Sequence, residues 1–339
     1  MVSLSPVALW RSLTERRIRG WREFDFYLDP VCNSGIGDRL IEIWAAMTIA
    51  EILKPGAKTA VVWHRNGYRT PAFVTEYAPL FEIAGASFVT ERPLGVRKTR
   101  KGYSRDPVKA RYVRGIPFGL RQIQLKYGRY FGTADPRALH DQAGDYGLPA
   151  AIGLDAIAGT YRRIASATRP APEVARLIPA DIGQRVGIHV RLSDKLVSED
   201  EERFTMSVDR WKAIEAAALA HIDRAVAAGE KLFVCSEDFA YRAELVDRIR
   251  GMGGDVIVCD LPPASENREG FGAFVDFFAL ARCRRIVQMT RYSHFSLMPA
   301  IIGGCEIVNF DPLGKKEESY MARWSDIADI RFEGLAAPA

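Results

Sequence analysis

The sequence predicts an α/β protein with two parallel sheets, and three observations carry that expectation. From Arg185 onward, short apolar runs alternate with amphipathic stretches of helical length, the pattern of strands joined by crossover helices. Near the start, a strand-like run meets a turn containing Gly35 and Gly37, then a helical stretch, then another strand-like run, so the opening is β-loop-α-β. The 339 residues, 48% of them hydrophobic, suffice for two cores at about 100–200 residues per domain.

The chain begins with a basic segment in which Arg11, Arg16, Arg17, Arg19 and Arg22 are interspersed with Leu13, Ile18 and Trp21, behind Trp10. Two readings stand side by side: a solvated terminal helix, or an amphipathic helix over residues 10–23 touching an anionic membrane surface. The segment lacks a continuous apolar core and a small-residue cleavage site, so it does not read as a secretory signal. No apolar run reaches the ~18 residues of a membrane span. The expected location is cytoplasmic, with peripheral contact at the inner face of the membrane under the amphipathic reading. Five scattered cysteines, Cys32, Cys235, Cys259, Cys283 and Cys305, read as buried reduced thiols. A net charge of only +5 argues against a dedicated nucleic-acid binder.

Phe24 to Val31 reads as the first strand, Asp38 to Leu53 as a helix with Leu40, Ile43, Trp44, Met47, Ala50 and Leu53 at helical spacing, and Lys58 to Trp63 as the next strand. The glycine loop of Gly35, Gly37, Asp38 and Arg39 offers backbone amides at a helix start, where an anion or hydroxyl is readily held. Asp38 suits either a helix cap or a ligand contact. Ala86 to Thr90 reads as a further strand. Arg97 to Tyr130 interleaves basic and aromatic residues without a clean period. It reads as loop and short helix, an insertion near an acceptor cleft, since aromatic and basic side chains together grip glycans. Pro136 to Pro149 and the proline cluster at residues 167–174 bracket a helix over Ile157 to Ala165, and that cluster is the expected linker. The expected division is 1–170, 180–312 and a C-terminal helix within 313–339 that packs back on the first domain.

In the second half the expected order is strand Arg185–Val190, helix Ser207–Ala228 with Ser207 as N-cap, strand Lys231–Cys235, helix Phe239–Ile249, strand Asp255–Cys259, helix Phe271–Ala281, strand Arg284–Met289, helix Phe295–Ile302 and strand Glu306–Phe310. A helix over Lys315–Ala328 follows. The two halves together suggest two Rossmann-like domains facing a central cleft. In such sheets ligands bind at the carboxyl ends of the strands. There the sequence places His189, Arg191, Ser193, Asp194, Lys195 and Glu199 after the first of these strands, and Ser236, Glu237 and Asp238 after the second. Asp276 precedes the strand that ends at Met289, and Thr290, Ser293 and His294 follow it. Arginine and lysine suit a diphosphate, guanidinium by bidentate bonds and ammonium as a mobile charge. Taken singly, each residue has an ordinary role: Ser236 or Ser293 as N-cap, Asp276 paired with Arg282, His294 as a packed histidine. Their joint occurrence at adjacent strand ends favours a ligand site.

These residues resemble the inverting fucosyltransferases of GT-B fold, especially the α-1,6-fucosyltransferases that include the bacterial nodulation enzymes. That family's first motif, approximately H-x-R-R-x-D-K with a following glutamate, is similar to HVRLSDK with Glu199. Its T-D-D strand end resembles SED at Ser236 to Asp238. Its helix aspartate followed by T-x-S-S resembles Asp276 and the stretch TRYS ending at Ser293, and its G-x-G-(N/D) loop resembles GIGD. The SxFS portion is also similar to the α-1,2-fucosyltransferases. One position departs: Leu192 stands where the family has a second arginine, and Arg291 or Arg39 is a candidate replacement.

The resemblance implies a GT-B enzyme that moves a sugar, GDP-fucose being the favoured donor, to a hydroxyl of a glycan or glycolipid acceptor with inversion. It implies Glu199 as base, Lys195 orienting it, and Arg191 bearing the diphosphate charge. Glu237, Asp238 and Asp276 would hold base and ribose, Ser293 a phosphate, and Asp38 or Arg39 the interdomain face. No metal or other cofactor is implied, and no nucleic-acid partner. Two alternatives remain open: another nucleotide sugar as donor, for which Leu192 is the argument, and a non-catalytic nucleotide- or glycan-binding protein on the same scaffold.

Overall fold

The computed structural model describes residues 21, 23–28, 35–63, 80–89, 111–112, 121–123, 125, 134–192, 196–197, 205–259, 271–311 and 320–333. The chain divides into two compact units. The first ends at Ile164, and the second starts at Ala165 and also takes in Gly35–Gly37.

The first unit contains β1 (Phe26–Leu28), most of α1 (Ile36–Leu53), β2 (Thr59–Val62), β3 (Phe81–Ile83), β4 (Ala86–Val89), β5 (Arg111–Tyr112), β6 (Arg121–Ile123), α2 (Pro136–Asp141) and all but the last two residues of α3 (Leu154–Ser166). Its sheet runs β4-β2-β1-β6-β5, parallel except for β5 at the edge. Nearly every side of α1 is buried, including Leu40, Ile43, Trp44, Ala45, Ala46 and Ile49, as expected of a helix apolar all round. Tyr161 of α3 meets Trp44 edge-on and donates to the Ile41 carbonyl at 3.3 Å. Because α1 starts at Ile36, Asp38 lies inside its first turn rather than ahead of it. There its charge still complements the helix dipole. The basic, aromatic stretch expected as loop and short helix instead supplies, in its described residues, the strand pair β5 and β6. The expected amphipathic helix over residues 10–23 lies outside the described residues except at Trp21 and Glu23.

The second unit contains β7 (Thr168–Pro170), α4 (Pro172–Ala175), β8 (Arg185–Val190), β9 (Leu196–Val197), β10 (Met206–Ser207), α5 (Val208–Ala227), β11 (Lys231–Ser236), α6 (Phe239–Gly251), β12 (Val256–Ile257), α7 (Phe271–Leu280), β13 (Arg285–Met289), α8 (His294–Gly303), β14 (Glu306–Asn309) and β15 (Ile330–Phe332). Its six-stranded sheet runs β12-β11-β8-β13-β14-β15 with every pair parallel. Counted from β8 that is the order 3-2-1-4-5-6 of dinucleotide-binding sheets. The last strand corrects an expectation. In place of a helix over Lys315–Ala328 closing on the first domain, the described residues form one 3-10 turn, Ala322–Trp324, and then β15 on the edge of the second sheet.

Alternation along the strands sorts the two faces. Val186, Ile188, Val190, Leu232, Val234, Val287, Met289, Val308 and Phe310 pack with Trp211, Ile214 and Ile222 of α5 and Leu245, Val246 and Ile249 of α6. On the opposite face Gly187 lets α7 approach: a Cβ there would lie 2.7 Å from Leu280 Cδ2 and 3.0 Å from Cys283 Sγ. The helices start where their caps predict, with Ser207 Oγ accepting from Arg210 N at 3.3 Å and Asp238 Oδ1 from Tyr241 N at 3.0 Å.

Candidate functional site

The strand order reverses between β8 and β13, since the chain leaves β8 toward β11 and leaves β13 toward β14. The crevice outside the carboxyl ends of two such strands is where ligands bind in open α/β sheets. Val190 stands opposite Met289 there, so Arg191 and Thr290 leave their strands side by side.

Beneath that edge a polar row crosses the sheet. Cys235 is opposite His189, His189 opposite Gln288, and Gln288 opposite Asn309, and all four are buried. His189 Nδ1 lies 3.1 Å from Ser296 Oγ, and its ring stacks on Phe295 with centroids 5.2 Å apart. Gln288 Nε2 donates to Ser296 Oγ at 2.6 Å and to the Ser293 carbonyl at 3.1 Å. Asn309 Nδ2 donates one hydrogen to Gln288 Oε1 at 2.6 Å and shares the other between the carbonyls of Thr290 and Arg291 at 3.3 and 3.2 Å. Buried amides so fully engaged form a rigid network rather than a cost.

The first turn of α8 sits on this row. Ser293 caps the helix, its Oγ accepting from Phe295 N at 3.2 Å. His294 Nε2 meets the hydroxyls of Tyr292 and, at 2.8 Å, Tyr320. Gly37, grouped with this unit, lies so near that a Cβ on it would be 2.6 Å from His294 Cβ. Thr290 is fully buried, and its Oγ1 has no hydrogen-bond partner.

At the end of β11, Ser236 Oγ accepts from Asp238 N at 3.0 Å, so Ser236 and Asp238 both build the entry into α6. Glu237 Oε1 accepts from Leu192 N at 2.7 Å, tying the chain after β8 to the chain after β11. The Leu192 side chain is 8% exposed and belongs to the apolar cluster under α5 and α6. An arginine at this position would have to leave that core to reach an anion.

Asp276, on α7, faces Cys259 and the charge of Arg242 rather than Arg282. Desolvation by burial pushes its carboxyl up to about 7, against the opposing pull of Arg242 and a hydrogen bond with Cys259. Its surface is partly covered. Cys235 adjoins it, its thiol raised well above the ordinary value by burial first and Asp276 second. Cys235, Cys283 and Cys305 are buried free thiols as expected, while Cys259 is partly exposed.

The two candidates for a replacement arginine are both engaged. Arg291 donates to the Thr205 carbonyl at 2.9 Å and lies 3.6 Å from Asp311, which also accepts from Arg210 at 2.9 Å. In the first unit Arg39 is buried with its guanidinium 4.8 Å from the Trp63 ring centroid.

Of the residues singled out from sequence, the second unit brings together His189, Arg191, Glu237, Thr290, Ser293 and His294 at one sheet edge, with Ser236 and Asp238 beside them and Asp276 a strand away. Gly35 and Gly37 are grouped with that unit, and Asp38 and Arg39 with the first. Ser193, Asp194, Lys195 and Glu199 lie outside the described residues. Sequence reading passed over Gln288, Asn309 and Asp311. The available signal is an amide at a buried position in each of two strands, RIVQM and EIVN. Among the described residues no group of three or more His, Cys, Asp or Glu could hold a metal, and no helix is long and apolar enough to cross a membrane.

No protein-family model and no curated protein matches the chain. Among solved structures it is similar to NodZ α-1,6-fucosyltransferase soaked with GDP-fucose, at 17% identity over 85% of this chain and 95% of that one, with a TM-score of 0.49. It is similar to fucosyltransferase NodZ from Bradyrhizobium at 18% identity, 81% and 92% coverage and a TM-score of 0.45. A third similar structure is POFUT1 in complex with GDP, at 12% identity, 83% and 94% coverage and a TM-score of 0.43.

Proposed function

We propose that this chain is an inverting glycosyltransferase that moves a sugar from a nucleotide diphosphate, GDP-fucose favoured, to a hydroxyl of a glycan or glycolipid. One observation carries the reading. The residues that match the fucosyltransferase motifs, His189, Arg191, Glu237, Thr290 and Ser293, converge on the switch point of a sheet whose order suits a nucleotide.

In this reading the acceptor oxygen attacks the anomeric carbon from the face opposite the diphosphate, and the carbon–phosphate oxygen bond breaks with its electron pair leaving on the diphosphate. Glu199 takes the acceptor proton, with Lys195 orienting it. Arg191 and the start of α8 bear the charge growing on the leaving group. Glu237 stands at the end of the second strand from β8, where a carboxylate reaches a ribose in sheets of this order. Asp276, a desolvated carboxyl on α7, is suited to read a base edge. No step calls on a divalent metal, so transfer is expected to persist in chelator.

The test is release of GDP from GDP-fucose in the presence of a glycan acceptor panel, by wild type and Glu199→Gln. Expected is release by wild type and a loss of about 10²–10⁴-fold in the variant, with GDP binding kept. GDP binding without release from any acceptor favours the non-catalytic reading. A different nucleotide sugar as donor is the second reading, favoured by Leu192, and it predicts turnover with a UDP- or other GDP-sugar but none with GDP-fucose.

A further inference from the structure

Phe239 is 69% exposed, the most of any large apolar side chain among the described residues. It gives up most of the burial a phenylalanine ordinarily gains, and the fold asks nothing of it. Helix α6 is capped by Asp238 and anchored in the core by Leu245, Val246 and Ile249. One face of the ring is covered by the Arg242 guanidinium, 4.7 Å from the centroid, a contact that aromatic and cation sustain electrostatically. With the ring mostly in solvent, the other face is the open one.

The position in the sheet says what that face suits. In a sheet of order 3-2-1-4-5-6 the diphosphate lies at the first strand of the count, and the ribose at an acidic residue beyond the second, here β8 and Glu237. The base of the same nucleotide then lies farther along that edge, over the end of β11 and toward β12. Phe239 stands there, two residues past Glu237. Hydrogen-bonding groups gather at the same place. Asp276 is bonded to Cys259, two residues past β12, and feels the charge of the Arg242 that covers the ring. An open aromatic face, a guanidinium behind it and a carboxyl near that guanidinium suit a flat heterocycle with polar edges, which stacks on the one and bonds to the other.

We infer that Phe239 is the residue on which the donor's nucleobase stacks, with Arg242 holding the ring from behind, an inference that rests on the transferase reading. Stacking tolerates any base. Phe239 therefore supplies affinity, and the choice of base falls to the polar groups beside it.

Calorimetric titration of wild type, Phe239→Ala and Phe239→Tyr with GDP and with UDP tests this. Because the side chain is exposed, both variants are expected to keep the wild-type denaturant midpoint. Wild type is expected to bind GDP. Phe239→Ala is expected to lose about 5–150-fold, the worth of one stacked base, and Phe239→Tyr, which keeps the ring, less than about threefold. The same pattern is expected with UDP should wild type bind only that nucleotide. An affinity unchanged in Phe239→Ala, or lost equally in both variants, overturns the inference and leaves the transferase reading standing. Wild type binding neither nucleotide overturns both. Should Phe239→Ala fail to fold, Phe239→Trp decides: its fluorescence is expected to be quenched by the bound nucleotide beyond the wild-type response, and quenching equal to wild type overturns the inference.

Discussion

One face of the second unit's sheet carries Val186, Ile188, Val190, Leu232, Val234, Val287 and Met289 against α5 and α6, while the other carries Cys235, His189, Gln288 and Asn309 on the side of α7 and α8. The strands are the same, and only the parity of the residue number differs. The apolar face does what sheet faces ordinarily do, removing side chains from water for about 25 cal/mol per Å². The polar face gives up that gain at three of its four row positions and spends the groups on fixing loops: His189 on Ser296, Gln288 on Ser293, Asn309 on Thr290 and Arg291. A row of buried polar groups contributes little net stability even when fully satisfied. Its presence directly under the switch point is therefore best understood as support for a site.

Substitutions on the two faces should separate stability from binding. The largest effect is expected on the apolar face, where Ile188→Ala should cost about 2–5 kcal/mol in denaturant unfolding and leave the GDP affinity of the folded protein unchanged. His189→Ala should cost less, about 1–3 kcal/mol, yet weaken GDP binding by about tenfold as the first turn of α8 loosens. Affinity loss tracking stability loss in both variants would erase the distinction between the faces. Gly187→Ala crowds Leu280 and Cys283 and should cost about 1–3 kcal/mol by overpacking, again without a selective loss of GDP.

A separate test of the polar side is a pH slope from Asp276. Its carboxyl, raised by burial from 3.8 to about 7, holds a proton in the folded state that the unfolded chain has already released. Stability should therefore fall as pH rises across that window and level off above it. Asp276→Asn should flatten the slope in urea titrations run between those values. If the slope is the same in the variant, another group is responsible for it.

The second sheet was largely legible because each strand from Arg185 to Asn309 is a short apolar run bounded by helical stretches, and Ser207, Asp238 and Ser293 cap helices as their residue types foretell. Three things were hidden, each for a physical reason. β15 is three residues long and lies at an edge, so the helical spacing before it dominated the local pattern. β5 and β6 gain their strand character from pairing with one another and with β1, which local propensity does not encode. Leu192 falls within a motif and reads as a missing ligand, but alternation beyond Val190 turns it into the apolar core. The amides of Gln288 and Asn309 were visible as polar residues within two strands. Their meaning depended on β13 and β14 being neighbours in register.

The central claim, a nucleotide diphosphate at the β8–β13 switch point, is tested most directly by thermal-shift measurement of the full chain with GDP, UDP, CDP and NAD at equal concentration. The account predicts the largest stabilisation with GDP, since a ligand that binds only the folded state raises its stability by mass action. Stabilisation by NAD alone would contradict it.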